Sequence, residues 1–310
     1  MTTPQRVVIL GPTASGKSDV AMAAATQVGN VHIVAADAIQ VYRRMDIGSA
    51  KPTAADRAAV VHHGLDLCEP SERYTVARYV DDMEVVRRDI AQARAHELIV
   101  GGTGLYVTAL VDGLNMPGEW PTIRESLEAN EDTSALFQQL RELDAAATEK
   151  MEPNNRRRII RALEVCLGSG RPFSSYGDGV AQFPDTDIRQ IGIKWTRDVL
   201  RERIKLRVHK MMAAGLIDEV RALLEEPEGL SATARQGLGY KEMIEHLEGR
   251  WTRDEAVEAT ILRTQQFAVR HVRSSKETVV SFDEIVGRQH LVEVVAGSES
   301  RLALLFVSRP

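Results

Sequence analysis

Short apolar runs alternate with longer amphipathic stretches along most of the chain. The apolar runs are rich in β-branched residues and cover positions 7–10, 31–36, 98–100 and 188–195. Strands without polar alternation are buried on both faces, as in parallel sheets covered by helices. The clearest amphipathic stretch, 74–95, has apolar residues at every third or fourth position and is predicted to be a helix. The pattern therefore predicts an α/β fold with a parallel sheet flanked by helices.

The pattern changes after a Pro- and Gly-rich loop at 113–121. From there to about Ile188 the sequence shows mostly helical patterns and no parallel-strand signal. We therefore expect a helical insertion domain at 115–185, inside an α/β core formed by residues 1–114 and 186–310.

Several arginines recur at helical spacing and form candidate basic faces. In the insertion, Arg157 and Arg161 lie four residues apart, on a different helix face from the apolar stripe of Ile159, Leu163 and Cys166. A second helical stretch, 200–224, has a predicted break at Gly215 and carries Arg203 and Arg207. A third, 255–273, carries Arg263, Arg270 and Arg273. Such faces are either solvated or bind phosphate, and the pattern alone favours neither.

The amino-acid composition limits the kinds of protein that this chain can be. With 310 residues, 44% hydrophobic and 27% charged, the chain resembles ordinary globular proteins. A net charge of −5 argues against general attraction to nucleic acid, so any polyanion site must be a local basic patch. The two cysteines, Cys68 and Cys166, lack metal-ligand spacing, and we expect buried free thiols. Without a signal peptide or a run of about 20 apolar residues, the expected location is the cytoplasm, with no membrane association.

The first predicted strand leads directly into a phosphate-binding motif. Gly11 is followed by four residues and then by Gly16, Lys17 and Ser18, at the start of a helical pattern. In this strand–turn–helix context the glycines let backbone N–H groups point at phosphate oxygens. The helix terminus and the lysine add positive charge, and the hydroxyl of Ser18 can bind Mg²⁺. The motif predicts a site for a diphosphate or triphosphate.

Two further strand ends should lie at the same edge of the sheet. Asp37 follows the second strand, and Gly101-Gly102-Thr103-Gly104 follows the third. Ligands bind beyond the carboxyl ends of the strands in open α/β sheets, so both segments should lie near the phosphate loop. An aperiodic stretch at 40–52 is long for a simple turn, which favours a functional loop.

Together these stretches resemble one family, the tRNA dimethylallyltransferases, in family order over about residues 5–275. The matching residues are Gly11-Pro12-Thr13-Ala14-Ser15-Gly16-Lys17-Ser18, Asp37, Gln40-Val41-Tyr42-Arg43, Met45-Asp46-Ile47-Gly48-Ser49-Ala50-Lys51-Pro52, Gly101-Gly102-Thr103-Gly104-Leu105-Tyr106, Arg158, Arg161-Ala162-Leu163-Glu164-Val165, Gly215-Leu216, Glu219-Val220 and Gly239-Tyr240-Lys241-Glu242. The resemblance implies transfer of the dimethylallyl group from dimethylallyl diphosphate to N6 of the adenosine at tRNA position 37, beside the anticodon.

The resemblance also implies residue roles. Asp37 would be the general base, with Lys17 and Thr103 as further catalytic residues. The diphosphate would be bound, with Mg²⁺ on Ser18, by Gly11, Pro12, Thr13, Ala14, Ser15, Gly16, Lys17, Ser18 and Arg207. The tRNA would contact Asp37, Ala38, Ile39, Gln40, Thr103, Arg124, Arg157, Arg158, Arg161, Gln236, Gly239, Tyr240, Arg270 and Arg273. We expect the protein to act as a monomer.

The stretch 264–276 departs from the family pattern, and it keeps alternatives open. Gln265, Gln266 and Val269 stand where the family has cations, and Ser274-Ser275 replaces a Trp-Phe pair. An acceptor other than tRNA, namely AMP, ADP or ATP, is therefore one alternative. A P-loop kinase or NTPase is another. It would need a carboxylate after a further buried strand, and the only acid that the pattern puts at a strand end is Asp37.

Overall fold

The computed structural model describes residues 4–102, 104–112, 116–177, 188–270 and 278–281. The chain divides into two compact units. One is formed by residues 1–111 and 185–310, and the other by residues 112–184. No helix within the described ranges is long and apolar enough to cross a membrane.

A parallel sheet is the centre of the first unit. Six strands of the described residues form it in the order β3-β2-β4-β1-β5-β6. They are β1 Arg6–Leu10, β2 Val31–Ala36, β3 Val61–His63, β4 His96–Gly101, β5 Arg189–Lys194 and β6 Thr278–Ser281. In the register of the central strand, Val8 pairs with Ile99 of β4 and Ile9 with Ile191 of β5. The predicted parallel sheet is confirmed, whereas β3 and β6 are additions at its two edges that the pattern does not predict.

Twelve helices of the described residues accompany the strands, and α5–α8 belong to the second unit. They are α1 Lys17–Val28, α2 Ala54–Ala59, α3 Val76–Gln92, α4 Leu105–Asp112, α5 Pro121–Ala129, α6 Thr133–Leu143, α7 Ala145–Glu149, α8 Arg156–Ser169, α9 Arg197–Ala213, α10 Leu216–Glu225, α11 Tyr240–Leu247 and α12 Arg253–Arg270. The predicted break between α9 and α10 is confirmed at Gly215, whose φ of 98° is a left-handed conformation that favours glycine.

Burial on both faces of the sheet explains the continuous apolar strands. Val8 and Leu10 of β1 belong to a core shared with α3 and with α9–α12. Val7 and Ile9 belong to a second core, which packs on the small residues of α1. Because successive strand residues point to opposite faces, every position of β1 beyond Arg6 is buried.

The second unit has its own apolar core. The predicted stripe of Ile159, Leu163 and Cys166 is buried there, against Leu136 and Leu140 of α6. Both cysteines of the chain are buried free thiols, as predicted. The C-terminal tail beyond residue 281 lies outside the described residues.

Candidate active site

The loop between β1 and α1 is a tight turn whose backbone an anion can approach closely. Ser15 N–H donates to the carbonyl of Pro12 at 3.1 Å, and Ala14 and Gly16 both have positive φ, 63° and 89°. A Cβ at Gly11 would lie 2.5 Å from Ser15 Oγ, so a larger residue there would displace the buried Ser15 side chain. Alternation of such conformations turns successive N–H groups toward one concave side, which forms an anion-binding nest.

The outer side of this loop is held by two side chains from the end of β5 and from α9. Trp195 Nε1 donates to the carbonyl of Ser15 at 2.9 Å, and Arg203 Nε donates to the carbonyl of Ala14 at 2.8 Å. The guanidinium of Arg203 also lies 4.5 Å from the Trp195 ring centroid. Since these carbonyls are engaged by protein donors, the loop is ordered before any ligand binds.

Two cations and one carboxylate lie within electrostatic reach of each other beside the loop. Burial, and to a smaller extent the charge of Arg207, lower the pKa of Lys17 to about 8, against the opposing effect of Asp37. Burial also lowers the pKa of Arg207, against the opposing effects of Asp37 and Asp19. A lowered pKa of a cation signals that its charge is incompletely compensated, which suits a site for a polyanion. The structure thus brings together three side chains that the sequence predicts for one site.

Asp37 presents a carboxylate with a fixed orientation. It follows β2 and is half-buried, and its Oδ1 accepts the N–H groups of Ile39 at 2.8 Å and Gln40 at 3.3 Å. Oδ2 has no hydrogen-bond donor among the described residues. One oxygen therefore anchors the side chain, while the other can accept a proton or a hydrogen bond from a ligand.

The loop at 40–52 is ordered by a buried lysine. Lys51 Nζ donates to the carbonyl of Tyr42 at 2.5 Å and to the carboxylates of Asp46 and Asp66 at 2.8 and 2.6 Å. The side-chain amide of Gln40 donates to the carbonyls of Ser49 and Ala50. A buried ammonium with three acceptors fixes the closing end of the loop.

Glu219 holds the middle of the same loop, although the family resemblance implies no role for it. Its Oε2 accepts the N–H groups of Asp46 and Ile47, and its Oε1 accepts the N–H of Gly48 and the hydroxyl of Tyr240. The only sequence signal for Glu219 is its place in the family motif after Gly215. Its partners in the loop lie 171 to 173 positions away, so spacing cannot reveal these contacts.

Gly239 and Tyr240, which the resemblance assigns to tRNA contact, are hydrogen-bonded within the protein. The side chain of Tyr240 is fully buried, and Gly239 N–H donates to Glu242 Oε2 at 2.8 Å. Glu242 is itself buried and pairs with Arg263 at 2.5 Å. These contacts connect α11 with α12, and a tRNA contact by Gly239 and Tyr240 stays a prediction.

Arg124 and Arg161, also predicted to contact tRNA, have partners within the protein. Both pair with the carboxylate of Glu164, which is completely buried, at 2.5 and 3.0 Å. Arg161 further donates to the carbonyls of Pro117 and Gly118. In contrast, Arg157 is exposed on the same helix and has no ion-pair partner among the described residues. The basic face of α8 is therefore narrower than its sequence predicts.

The remaining predicted site residues have mixed positions. Gln236 is exposed, and so is Arg158, next to Arg157, whereas Ala38 and Ile39 are half-buried beside Asp37. Thr103 and Arg273 lie outside the described residues, and so does the side chain of Arg270. In the stretch 264–276 that departs from the family pattern, Ala268 is buried against Ala14 of the phosphate loop, and Val269 is exposed.

Comparison with known proteins identifies the family. A family model described as IPP transferase matches residues 40–275, and one described as isopentenyl transferase matches residues 5–61. The chain is 40% identical over 270 residues to the tRNA dimethylallyltransferase of Pelotomaculum thermopropionicum, which covers 86% of each chain. This chain belongs to the tRNA dimethylallyltransferase family.

Other family members agree in sequence and in fold. The tRNA dimethylallyltransferase of Kineococcus radiotolerans is 43% identical over 276 residues, 84% of each chain. The full-length tRNA isopentenylpyrophosphate transferase of Bacillus halodurans superimposes with a TM-score of 0.65 at 32% identity, covering 97% of each chain. The resemblance and the fold class predicted from the sequence are thereby confirmed.

Proposed function

We propose that this protein transfers the dimethylallyl group of dimethylallyl diphosphate to N6 of the adenosine at tRNA position 37. The observation that carries the proposal is the proximity of Lys17, Arg207 and Asp37 beside the preformed loop at 11–16. Cations stabilise the charge of a departing diphosphate, and a carboxylate can accept the proton of an attacking amine. One site therefore contains the groups that both halves of the reaction need.

The diphosphate would bind to the N–H groups of residues 11–18, with Lys17 and Arg207 on its oxygens. Ser18, exposed in the first turn of α1, would hold Mg²⁺ together with phosphate oxygens. This donor set fits Mg²⁺, which keeps several waters and commonly takes few protein ligands beside phosphate. No cluster of three acidic, His or Cys ligands occurs in the part of the chain that the structure describes. Bound Mg²⁺ would neutralise charge on the departing diphosphate.

Asp37 would act as the general base. The adenine amine is a weak nucleophile because its lone pair is delocalised into the ring. As the C–N bond forms, the C–O bond to the diphosphate breaks and Asp37 Oδ2 accepts the N6 proton. Such proton transfer contributes about 10²–10⁴ in rate.

The adenosine must leave its stack to reach this carboxylate, since the target atom is inaccessible within stacked bases. Exposed Arg157, Arg158 and Gln236 are the proposed tRNA contacts among the described side chains. Thr103, Arg270 and Arg273 complete the proposed set. The protein would act as a monomer in the cytoplasm, where tRNA is modified.

Incubation with labelled dimethylallyl diphosphate and an anticodon stem-loop, AMP or ATP tests the proposal. We expect label on N6 of the stem-loop adenosine. Asp37→Asn should lower turnover by about 10²–10⁴, with unchanged pyrophosphate affinity. Asp81→Asn, an exposed acid on α3, is the matched control and should behave like wild type.

Two results would redirect the assignment. Label on AMP or ATP but not on RNA would favour the free-nucleotide acceptor that the altered segment 264–276 leaves open. Steady ATP hydrolysis stimulated by tRNA would instead move the protein into the NTPase class.

A further inference from the structure

The 46–48 segment lies in the loop that follows Asp37, and its three backbone N–H groups all donate to one distant carboxylate. We propose that Glu219 is a positioning residue for dimethylallyl transfer: through this segment and Gln40 it fixes the orientation of Asp37. The inference rests on the proposed function, because it assumes that Asp37 acts on the acceptor amine.

The hydrogen-bonding capacity of the Glu219 carboxylate is fully used by the 46–48 segment and Tyr240. Oε2 accepts Asp46 N–H at 3.0 Å and Ile47 N–H at 2.7 Å, and Oε1 accepts Gly48 N–H at 3.2 Å. The Tyr240 hydroxyl donates to Oε1 at 2.7 Å. A carboxylate offers about four lone-pair sites, so these donors use its capacity. Hydrogen bonds to a charged acceptor are also stronger than those between neutral groups.

Tyr240 fixes the same segment by packing. Its ring is fully buried, and a Cβ on Gly48 would lie 2.5 Å from the ring atom Cε2. Burial raises the pKa of the Tyr240 hydroxyl well above its usual value, and the charge of Glu219 adds to the shift. The hydroxyl therefore remains a donor throughout the working pH range. Gly48 therefore packs against a buried ring whose hydroxyl is bound by Glu219.

Hydrogen bonds connect this segment to Asp37. Immediately after Gly48, the carbonyls of Ser49 and Ala50 accept the side-chain amide of Gln40 at 3.0 and 3.3 Å. The backbone N–H of Gln40 then donates to Asp37 Oδ1 at 3.3 Å. The path from Glu219 to Asp37 thus consists of hydrogen bonds joined by short covalent links, from Gly48 to Ser49 and along the side chain of Gln40.

Independent anchors separate this role from general stability. Lys51 fixes the far end of the loop through Tyr42 and Asp66, contacts that do not involve Glu219, and it also binds Asp46 of the 46–48 segment. The phosphate loop is held by Trp195 and Arg203. Weakening the Glu219 contacts should therefore disturb the acceptor side of the site and leave diphosphate binding intact.

The test is steady-state kinetics of Glu219→Gln with dimethylallyl diphosphate and an anticodon stem-loop. The glutamine amide nitrogen cannot accept N–H groups, so about half of the carboxylate contacts are lost. We expect kcat to fall by about 10- to 100-fold, since displacement of about 1 Å can cost 10²-fold. The KM for dimethylallyl diphosphate should stay within about twofold of wild type. Hydrogen exchange in residues 39–50 should accelerate.

Three further variants sharpen the test. Tyr240→Phe removes one donor and should give a smaller loss of kcat than Glu219→Gln. Glu225→Gln changes an exposed acid on the same helix and should have no effect. Gln40→Met removes the hydrogen bonds to the carbonyls of Ser49 and Ala50, one step nearer Asp37, and should reproduce the loss of kcat. This variant tests the inference even if Glu219→Gln fails to fold.

Several outcomes would overturn the inference. Unchanged kcat with faster exchange would show that Glu219 orders the loop without positioning Asp37. A raised KM for dimethylallyl diphosphate with unchanged kcat would assign Glu219 to the phosphate side. Absence of transfer by wild type to any acceptor would instead overturn the proposed function, and the role of Asp37 with it.

Discussion

Helices α8 and α9 each carry two arginines four residues apart, and in each pair the two have different roles. On α9, Arg203 donates to the carbonyl of Ala14, while Arg207 lies within electrostatic reach of Lys17 and Asp37. The first arginine stabilises the phosphate loop, and the second remains available to an anion.

The same division occurs on α8, within the insertion. Arg161 pairs with buried Glu164 and donates to the carbonyls of Pro117 and Gly118, whereas Arg157 is exposed. Spacing that predicts one basic face thus gives, in each of these two pairs, one arginine bound within the protein and one available to an anion. An arginine that faces backbone carbonyls or a buried carboxylate is unavailable to a ligand. Without it those polar groups would be buried unpaired, which costs free energy of folding.

Among the arginines of the two helices, the largest expected effect comes from removing Arg207, the available cation of α9. Arg207→Gln should lower the transfer rate by about 10²–10³, the usual loss for one donor to a developing anion. Lys17, with a pKa of about 8, is charged below that pH and neutral above it, so wild-type pyrophosphate affinity should fall as pH rises through about 8. Without repulsion from Arg207, that decline should move to higher pH. Kinetics and pyrophosphate titration from pH 6.5 to 9.5 measure both effects.

The control for this variant is Arg201→Gln, an exposed arginine on the same helix. Its transfer rate and pH profile should match those of wild type. An Arg207→Gln protein with a normal transfer rate would contradict the assignment of this arginine to the diphosphate.

A smaller effect, on stability, should distinguish the two arginines of α8. Arg161→Met leaves buried Glu164 with fewer donors and should lower the free energy of unfolding by about 1–3 kcal/mol. Arg157→Met removes an exposed cation and should change it by less than about 0.5 kcal/mol. Chemical denaturation of the two variants makes the comparison directly. Equal stabilities would mean that Arg161 is as dispensable to the fold as Arg157.

The smallest effect concerns RNA binding by the outward cations of α8. If Arg157 and Arg158 contact phosphates, the double change Arg157→Gln/Arg158→Gln should reduce the slope of log K against log salt by about 1.4–1.8. Titration of an anticodon stem-loop from low to moderate salt measures this slope. Arg141→Gln, exposed on α6, serves as the control. An unchanged slope in the double variant would exclude these two arginines from the RNA interface and favour the free-nucleotide acceptor.

Much of the fold follows from local sequence patterns. The β-branched runs of β1 and β2 predict buried strands, because such side chains fit a sheet covered on both faces. The phosphate loop is predictable from Gly11, Gly16 and Lys17, since its turn needs small residues at fixed spacing. The short edge strands β3 and β6 are not predictable from these patterns, because three- and four-residue runs resemble loop sequence.

The sequence by itself therefore determined the α/β core, the phosphate loop and the candidate base Asp37, because each depends on residues close together in the chain. Only the tertiary structure decided which arginines are available to a ligand and which are paired within the protein. Arg161 and Glu164 are near neighbours in sequence, but the burial of Glu164 and its second partner, Arg124, come from packing of α5 on α8. The contact of Glu219 with the loop before Lys51 likewise depends on folding, because hydrogen bonds between distant residues leave no periodic trace in a sequence.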